Sequence, residues 1–562
     1  MINKKPYIEI PGSDKACWEG WSHIGDELKR HIQSISKKKV VIAIESNLGT
    51  YLDSNLQALK DCIVPNVTCR AKDIYKDPNM IMQLANNNAG NDHYASTSTH
   101  NIEDYFDKQK LDGLRNNIDF IDKGVVLIHG VGSSKIWDPD ILIYSDISRW
   151  EQVQRFRRGE VSNIGINNAG VSYQDQQLWS YFIDWRICDK IKRKAIIHCD
   201  YFLETNNWKK PKLATGEIIR KGYEMTYTQP FFNAPFFDPE LWEDIVHYEG
   251  ENNDFNWVFN CSMDENNILL KLGDHLFESP AINLIYFNPT QLMGDAVYKK
   301  YGHELPIRYN FIDTLDEKDI NVYLQPSEQF FKENYGIFHK QHEIYYIMNA
   351  EKNASIGIGL QEGVSKEYFE ETALAARTKT AKNKLQSLLN TLKLREHDHL
   401  MIPNGIVHTK GNKLMILGIT KSSSLFELSV FNENEKAASA DHLDQLLELT
   451  SNFKEDHQQY LNNGEKVKSD GIEYEVLGRA QDGELISKRL WISKPLKLKT
   501  HSTIHVINLV EGTEVTITGS FSPLVVHYAE TFVVPAAVKA FTINPPSGEK
   551  VCLLLTSIDP EP

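Results

Sequence analysis

Between Glu304 and His408 the chain strings together short apolar runs, each cut off by Gly, Pro, Asn or a charge. The runs are Glu304-Leu-Pro-Ile-Arg-Tyr-Asn-Phe-Ile-Asp313, Ile320-Asn-Val-Tyr-Leu-Gln-Pro326, His342-Glu-Ile-Tyr-Tyr-Ile-Met348 and Met401-Ile-Pro-Asn-Gly-Ile-Val-His408. Runs this short, bounded by turn formers, read as strands, and several in succession predict an antiparallel sheet or barrel. Side chains two apart on a strand share a face, which puts Tyr323 with Gln325. Glu343 opens the next strand, and His408 follows a Pro-Asn-Gly turn that aims it at a barrel mouth. A carboxylate and an imidazole converging from separate strands can bind a divalent metal.

The order of these segments resembles the catalytic cupin domain of class I mannose-6-phosphate isomerases. That family's pattern runs through Pro-Ile, then Gln-Val-His-Pro, then a Glu before an apolar strand, then Ile-Pro-x-Gly-x-x-His. The resemblance implies a mainly β, cupin-type double barrel with a helical insertion at about 361–395. It also implies zinc, or another divalent metal, held by Glu343 and His408. The family's remaining ligands, a Gln and a His, fall on Tyr323 and Gln325. A Gln carbonyl is a weaker zinc ligand than imidazole, and a Tyr must lose its phenolic proton to bind well. The basic residue that serves catalysis in the family falls on or near Ser429. The implied function is metal-assisted aldose–ketose isomerisation of a sugar phosphate, with weak or altered activity. The alternative is a non-catalytic descendant that binds a sugar or sugar phosphate. A rearranged shell using His339 or His342 is less supported, because a neighbour of Glu343 on a strand faces away from it. His397 and His399 lie in a charged segment that has no metal role in the family.

A chain of 562 residues exceeds one core, so several domains are expected. The reading places an α/β domain over 1–205, the isomerase-like domain over 206–450 and a C-terminal cupin-like barrel over 451–562. In the first, Lys39–Glu45, Gly124–Gly132, Asp140–Asp146 and Ile196–Phe202 read as strands, and helical patterns cover Ile24–Ser36 and begin again at Leu52. This order resembles nucleoside and cytidylate-type P-loop kinases and implies a parallel sheet. The stretch Glu45–Asp53 holds only Gly49 and no Lys, so the phosphate loop is missing and phosphoryl transfer is not expected. The cluster Arg149, Arg155, Arg157 and Arg158 is either a solvated helix face or a phosphate site formed by Arg155, Arg157 and Arg158. Further on, the aromatic stretch 230–242 reads as packing. Asn283–Phe287 reads as a strand, 361–395 and Asp441–Leu449 as helical, and 471–562 as short strands. His501 and His505, four apart, do not make a cupin metal motif, so the C-terminal barrel is expected to be metal-free and structural.

The formal charge of −15 disfavours nucleic acid and anionic membrane as partners but leaves room for a small anionic substrate. No run of eighteen apolar residues occurs, and the start Met-Ile-Asn-Lys-Lys-Pro-Tyr lacks an apolar leader core. Seven scattered cysteines without a Cys-x-x-Cys pair argue for a reducing cytoplasm. The expected partner is a small-molecule sugar phosphate; the oligomeric state stays open.

Overall fold

The computed structural model describes residues 6–86, 99–233, 257–315, 322–324, 343–376, 382–403, 406–421, 428–429, 461, 464–469, 472–479 and 485–559. The chain divides into two compact units. One comprises residues 5–226 with 264–289; the other comprises 1–4, 227–263 and 290–562.

The first unit is α/β. Its elements are β1 (Tyr7–Glu9), β2 (Cys17–Glu19), α1 (Trp21–Ser34), β3 (Lys39–Ser46), α2 (Leu52–Ile63), β4 (Val67–Arg70), α3 (Pro78–Asn86) and α4 (Lys108–Asp119). There follow β5 (Gly124–Gly130), β6 (Ile141–Asp146), α5 (Arg149–Arg157), α6 (Tyr173–Trp179), α7 (Trp185–His198), β7 (Tyr201–Glu204), β8 (Lys212–Thr215) and α8 (Gly216–Tyr227). A π-helical turn, Ser180–Asp184, joins α6 to α7. The main sheet runs β2-β8-β7-β6-β3-β5-β4. Strands β4, β5, β3, β6 and β7 are mutually parallel, while β8 and β2 pair antiparallel. Val40–Ile44 is an unbroken apolar run because β3 is covered on both faces. On one face Val40, Ile42 and Ile44 pack with Leu56 and Leu59 of α2 and with Ile24 and Leu28 of α1. The parallel strands expected from the sequence are present, and the sheet continues past residue 205 with the antiparallel β8. A small sheet of β1, Asn267–Leu272 and His275–Pro280 completes the unit.

One expected strand is a helix, and another begins later than expected. Ile196 lies in the last turn of α7, and the strand starts only at Tyr201. Asn283–Phe287 belongs to a helix, Ile282–Phe287, whose first five residues are all buried. A run apolar on every side suits a buried helix as well as a buried strand.

The second unit is mainly β. It contains β9 (Arg308–Asp313), β10 (Val322–Leu324), β11 (Glu343–Leu360), β12 (Val407–Thr409), β13 (Asn412–Thr420) and β14 (Leu428–Ser429). With Trp257–Cys261 leading, they form the sheet order β9-β13-β11-β12-β10-β14, and Leu389–Lys393 and His399–Ile402 also pair with β11. The pairings are antiparallel. The core of this sheet contains Ile312, Tyr345, Ile347, Ile356, Leu400 and Ile416. The expected helical piece over 361–395 resolves into two helices, Lys366–Ala376 and Lys382–Gln386, followed by the strand Leu389–Lys393. Asp441–Leu449 lies outside the described residues.

The strands expected over 471–562 are present. Seven strands, Phe231–Phe232 among them, form one sheet, and four more form another. Both contribute to one core, Ile507, Phe532 and Leu553 from the first meeting Val515, Phe541 and Ile543 from the second.

Candidate functional site

Strands β10, β11 and β12 bring the expected residues together. Tyr323 on β10 stands directly opposite His408 on β12, and Ile358 of β11 flanks His408 on the other side. Directly opposed side chains project to the same face. Glu343 opens β11, and its partner two residues on, Tyr345, shares its face. His408 is fully buried and Glu343 nearly so, with His408 Nε2 3.5 Å from Glu343 Oε2. The Tyr345 hydroxyl lies 3.4 Å from the same nitrogen.

His408 Nδ1 is 3.1 Å from the Ile406 carbonyl. A carbonyl only accepts, so Nδ1 is assigned the proton, and in the neutral ring Nε2 keeps its lone pair. A backbone partner on one nitrogen orients metal-binding histidines in the same way. Two ligands each about 2.1 Å from one tetrahedral ion lie about 3.4 Å apart. The Glu343–His408 separation fits two places of such a shell. Glu343 Oε2 is buried without a hydrogen bond of good geometry, as an oxygen reserved for an ion would be. Burial acts to raise the Glu343 pKa, but His408 in its doubly protonated form, with Lys410 and Tyr345, outweighs it and holds the carboxyl below its usual range.

The remaining expected ligands fare differently. Gln325, His339 and His342 lie outside the described residues. Tyr323 sits beside the imidazole, ring centroids 6.4 Å apart, and its ring carries Lys410 Nζ at 4.2 Å from the centroid. Among the described residues no three His, Cys, Asp or Glu side chains converge on one point. Ser429 of β14 pairs with Tyr323 of β10. Lys410 supplies a cation here that sequence reasoning missed. Its signal was available: Lys410 follows His408 by two. His399 stands apart as a buried imidazole whose pKa burial lowers to about 4. His397 instead bridges the Tyr346 hydroxyl, 2.8 Å away, and Glu511, 2.7 Å away.

The arginine cluster of the α/β unit has a structural role. Arg155 is wholly buried, its guanidinium donating to the carbonyls of Gly49, Thr205 and Asn206 at 2.9, 2.8 and 3.1 Å. Its Nε donates to Glu151, and the group stacks 3.9 Å above the centroid of the Tyr51 ring. It is therefore committed to the loop after β3 and is no part of a solvated helix face. Arg158 pairs with Glu151 and Glu160, and Arg157 stacks on Tyr173.

Residues 20–228 match the model of a family described as a domain of unknown function (DUF8485). No curated protein matches the chain. Solved structures similar to it include three isomerases. A putative mannosephosphate isomerase from Archaeoglobus fulgidus is 17% identical, covering 53% of this chain and 85% of that one, with a TM-score of 0.39. The mannose 6-phosphate isomerase from Bacillus subtilis is 15% identical over 58% of this chain and 99% of that one, with a TM-score of 0.40. The apo enzyme from Salmonella typhimurium is 12% identical over 56% and 95%, with a TM-score of 0.41. With scores this low, these likenesses carry no functional inference.

Proposed function

We propose that the Glu343–His408 centre is the sugar-phosphate site of a mannose-6-phosphate isomerase-like protein with an altered ligand set. One observation carries this reading: residues far apart in sequence meet as a buried carboxylate and an oriented imidazole 3.5 Å apart. Glu343 and His408 would hold a divalent metal, with Gln325 and Tyr323 as further candidate donors. Such an ion polarises the carbonyl and hydroxyl oxygens of an aldose or ketose phosphate. The chain's own residues orient and balance charge. The Ile406 carbonyl fixes the imidazole tautomer. Lys410 places a positive charge beside Tyr323, where it would offset negative charge developing on a substrate oxygen. Replacement of an imidazole ligand by Gln325 predicts weak metal retention and slow turnover.

A second reading, a sugar or sugar-phosphate binding protein without turnover, is favoured by the ion pair itself. Glu343 and His408 can neutralise one another with no metal between them. Metal analysis of the purified protein, with a coupled assay for mannose 6-phosphate to fructose 6-phosphate conversion, separates the two. Stoichiometric metal and a turnover abolished by His408→Ala support the isomerase. Folded protein with neither metal nor turnover, yet with Lys410-dependent binding of mannose 6-phosphate in calorimetry, supports the binder.

A further inference from the structure

In the α/β unit, strand β3 is flanked by β5 on one side and β6 on the other. The strand order reverses there, and ligands of open parallel sheets lie in the crevice beyond the carboxyl ends of the strands at such a point. A crevice of about 850 Å³ occupies this place. Its walls are the loop after β3, the first turn of α2, the segment 70–78 with Lys110, the end of β5 and the segment 160–167. The walls are built, not loose. Arg155 holds the Gly49 carbonyl from beneath. On the far side, Asn163 Nδ2 donates to Asp184 Oδ2 and Ser180 Oγ, each at 2.8 Å, and the Ile164 amide also donates to Asp184. The π-helical turn that carries Asp184 thus pins segment 160–167, and such turns recur at functional sites.

His129, next to last in β5, lines this crevice. It is only 2% exposed, and its Nε2 is buried with no hydrogen-bond partner. An unpaired buried nitrogen is costly, and native structures keep one where something else completes it. Burial, with Lys72 assisting and Asp53 opposing, lowers the imidazole pKa to about 4, so the ring is neutral at physiological pH.

The charges around it balance, four cations against four carboxylates, and give no excess to hold an anion. The cations of the crevice are committed: Arg70 to Asp73 and Lys72 to Asp53 at 3.0 Å, Lys76 to the Asp104 carbonyl and Lys110 to the Tyr75 carbonyl. Asp53 also stands in the first turn of α2, where it opposes a second negative charge at that helix end. A hydroxyl group, by contrast, can donate to Nε2 or accept from it, and so suits either tautomer.

We propose that this crevice is a second binding site, taking a neutral, hydroxyl-rich molecule of monosaccharide or nucleoside size through His129 Nε2. Arg70, Lys72, Lys76 and Lys110 face Asp53, Asp73, Asp77 and Glu160 around it, so its walls carry no excess positive charge to draw a phosphate-bearing ligand. The test uses the full-length protein with D-mannose, myo-inositol and adenosine as neutral probes, and ATP and inorganic phosphate as anionic ones. Binding is read by calorimetry, and deuterium exchange at the imidazole C2 of His129 is read by mass spectrometry. The expected result is binding of at least one neutral probe with slowed exchange at His129. His129→Phe keeps an aromatic ring and removes the nitrogen; it should weaken that binding about tenfold, the worth of one buried hydrogen bond. Glu343→Gln should leave it unchanged, which separates this site from the one on β11 and β12. Binding of the anionic probes alone would overturn the proposal. So would a neutral probe that binds without altering exchange at His129, or no binding by any probe. Should His129→Phe fail to fold, the exchange measurement on the unaltered protein still decides.

Discussion

Glu45, on the last turn of pleat in β3, is fully buried and accepts the amides of Gly132 and Ser134 at 2.6 and 2.9 Å. Burial dominates these bonds and pushes its pKa up from 4.5 to about 7. A folded-state pKa above the unfolded one means that the group's stabilisation is full below about pH 4.5 and is lost as pH rises through about 7. The loss is on the order of 3 kcal/mol. Glu45→Gln should therefore show a flatter fall in stability between pH 5 and pH 8, measured by chemical denaturation. It should be about 1–2 kcal/mol less stable at pH 5, since one amide oxygen must serve two N–H donors. Parallel curves for the two proteins across that range would show that Glu45 does not titrate there. The residue scale is also where sequence reasoning was weakest. Glu343 and His408 were expected together from their types and the turn before His408, and the fold sets them 3.5 Å apart. Arg155 was misjudged because an arginine's charge reads as exposed until its partners are seen. His129 passed as one more residue of an apolar strand.

At the scale of elements, β3, β5, β6 and the start of α2 were legible within a residue or two. Their apolar runs are long and their ends carry polar or glycine residues. Asn283–Phe287 was not legible, because a buried segment of five or six residues shows no period. Strand β9 shows what an element contributes beyond its pattern. Tyr309 is buried, with its hydroxyl 2.6 Å from Thr556 Oγ1 and 3.1 Å from the Val506 carbonyl. Ser487 Oγ joins the same network, 2.9 Å from Thr556 Oγ1. The bonds tie β9 to strands hundreds of residues later in the chain. Tyr309→Phe keeps the ring and deletes the hydroxyl, so it should cost about 1–3 kcal/mol in urea denaturation. A loss within error of zero would mean that water replaces the hydroxyl there.

Across the whole molecule, the cysteines report on packing. Of the six with described side chains, Cys17, Cys69, Cys188, Cys199 and Cys552 are buried free thiols, and Cys62 is partly exposed. Burial pushes the thiol pKa up to about 12 for Cys17 and Cys552 and to about 11 for Cys69. The thiolate is the reactive form. Iodoacetamide added to the native protein at pH 8 should modify Cys62 ahead of these five, with all of them reacting after unfolding, as read by peptide mass spectrometry. Rapid native labelling of Cys17 or Cys552 would contradict the packing of either unit. None of the helices among the described residues is long and apolar enough to cross a membrane.

Local patterning was enough to assign a parallel α/β unit ahead of a mainly antiparallel one, and to single out Glu343 and His408. Side-chain period and turn chemistry act over a few residues, so a linear reading captures them. Register and long-range packing lie beyond that reach. They set Tyr323 opposite His408, turned Lys410 onto its ring, buried Arg155 under the loop after β3 and left His129 facing a crevice. Each of these depends on which distant strand lies alongside, and that choice is made by the burial of the whole core rather than by any one segment.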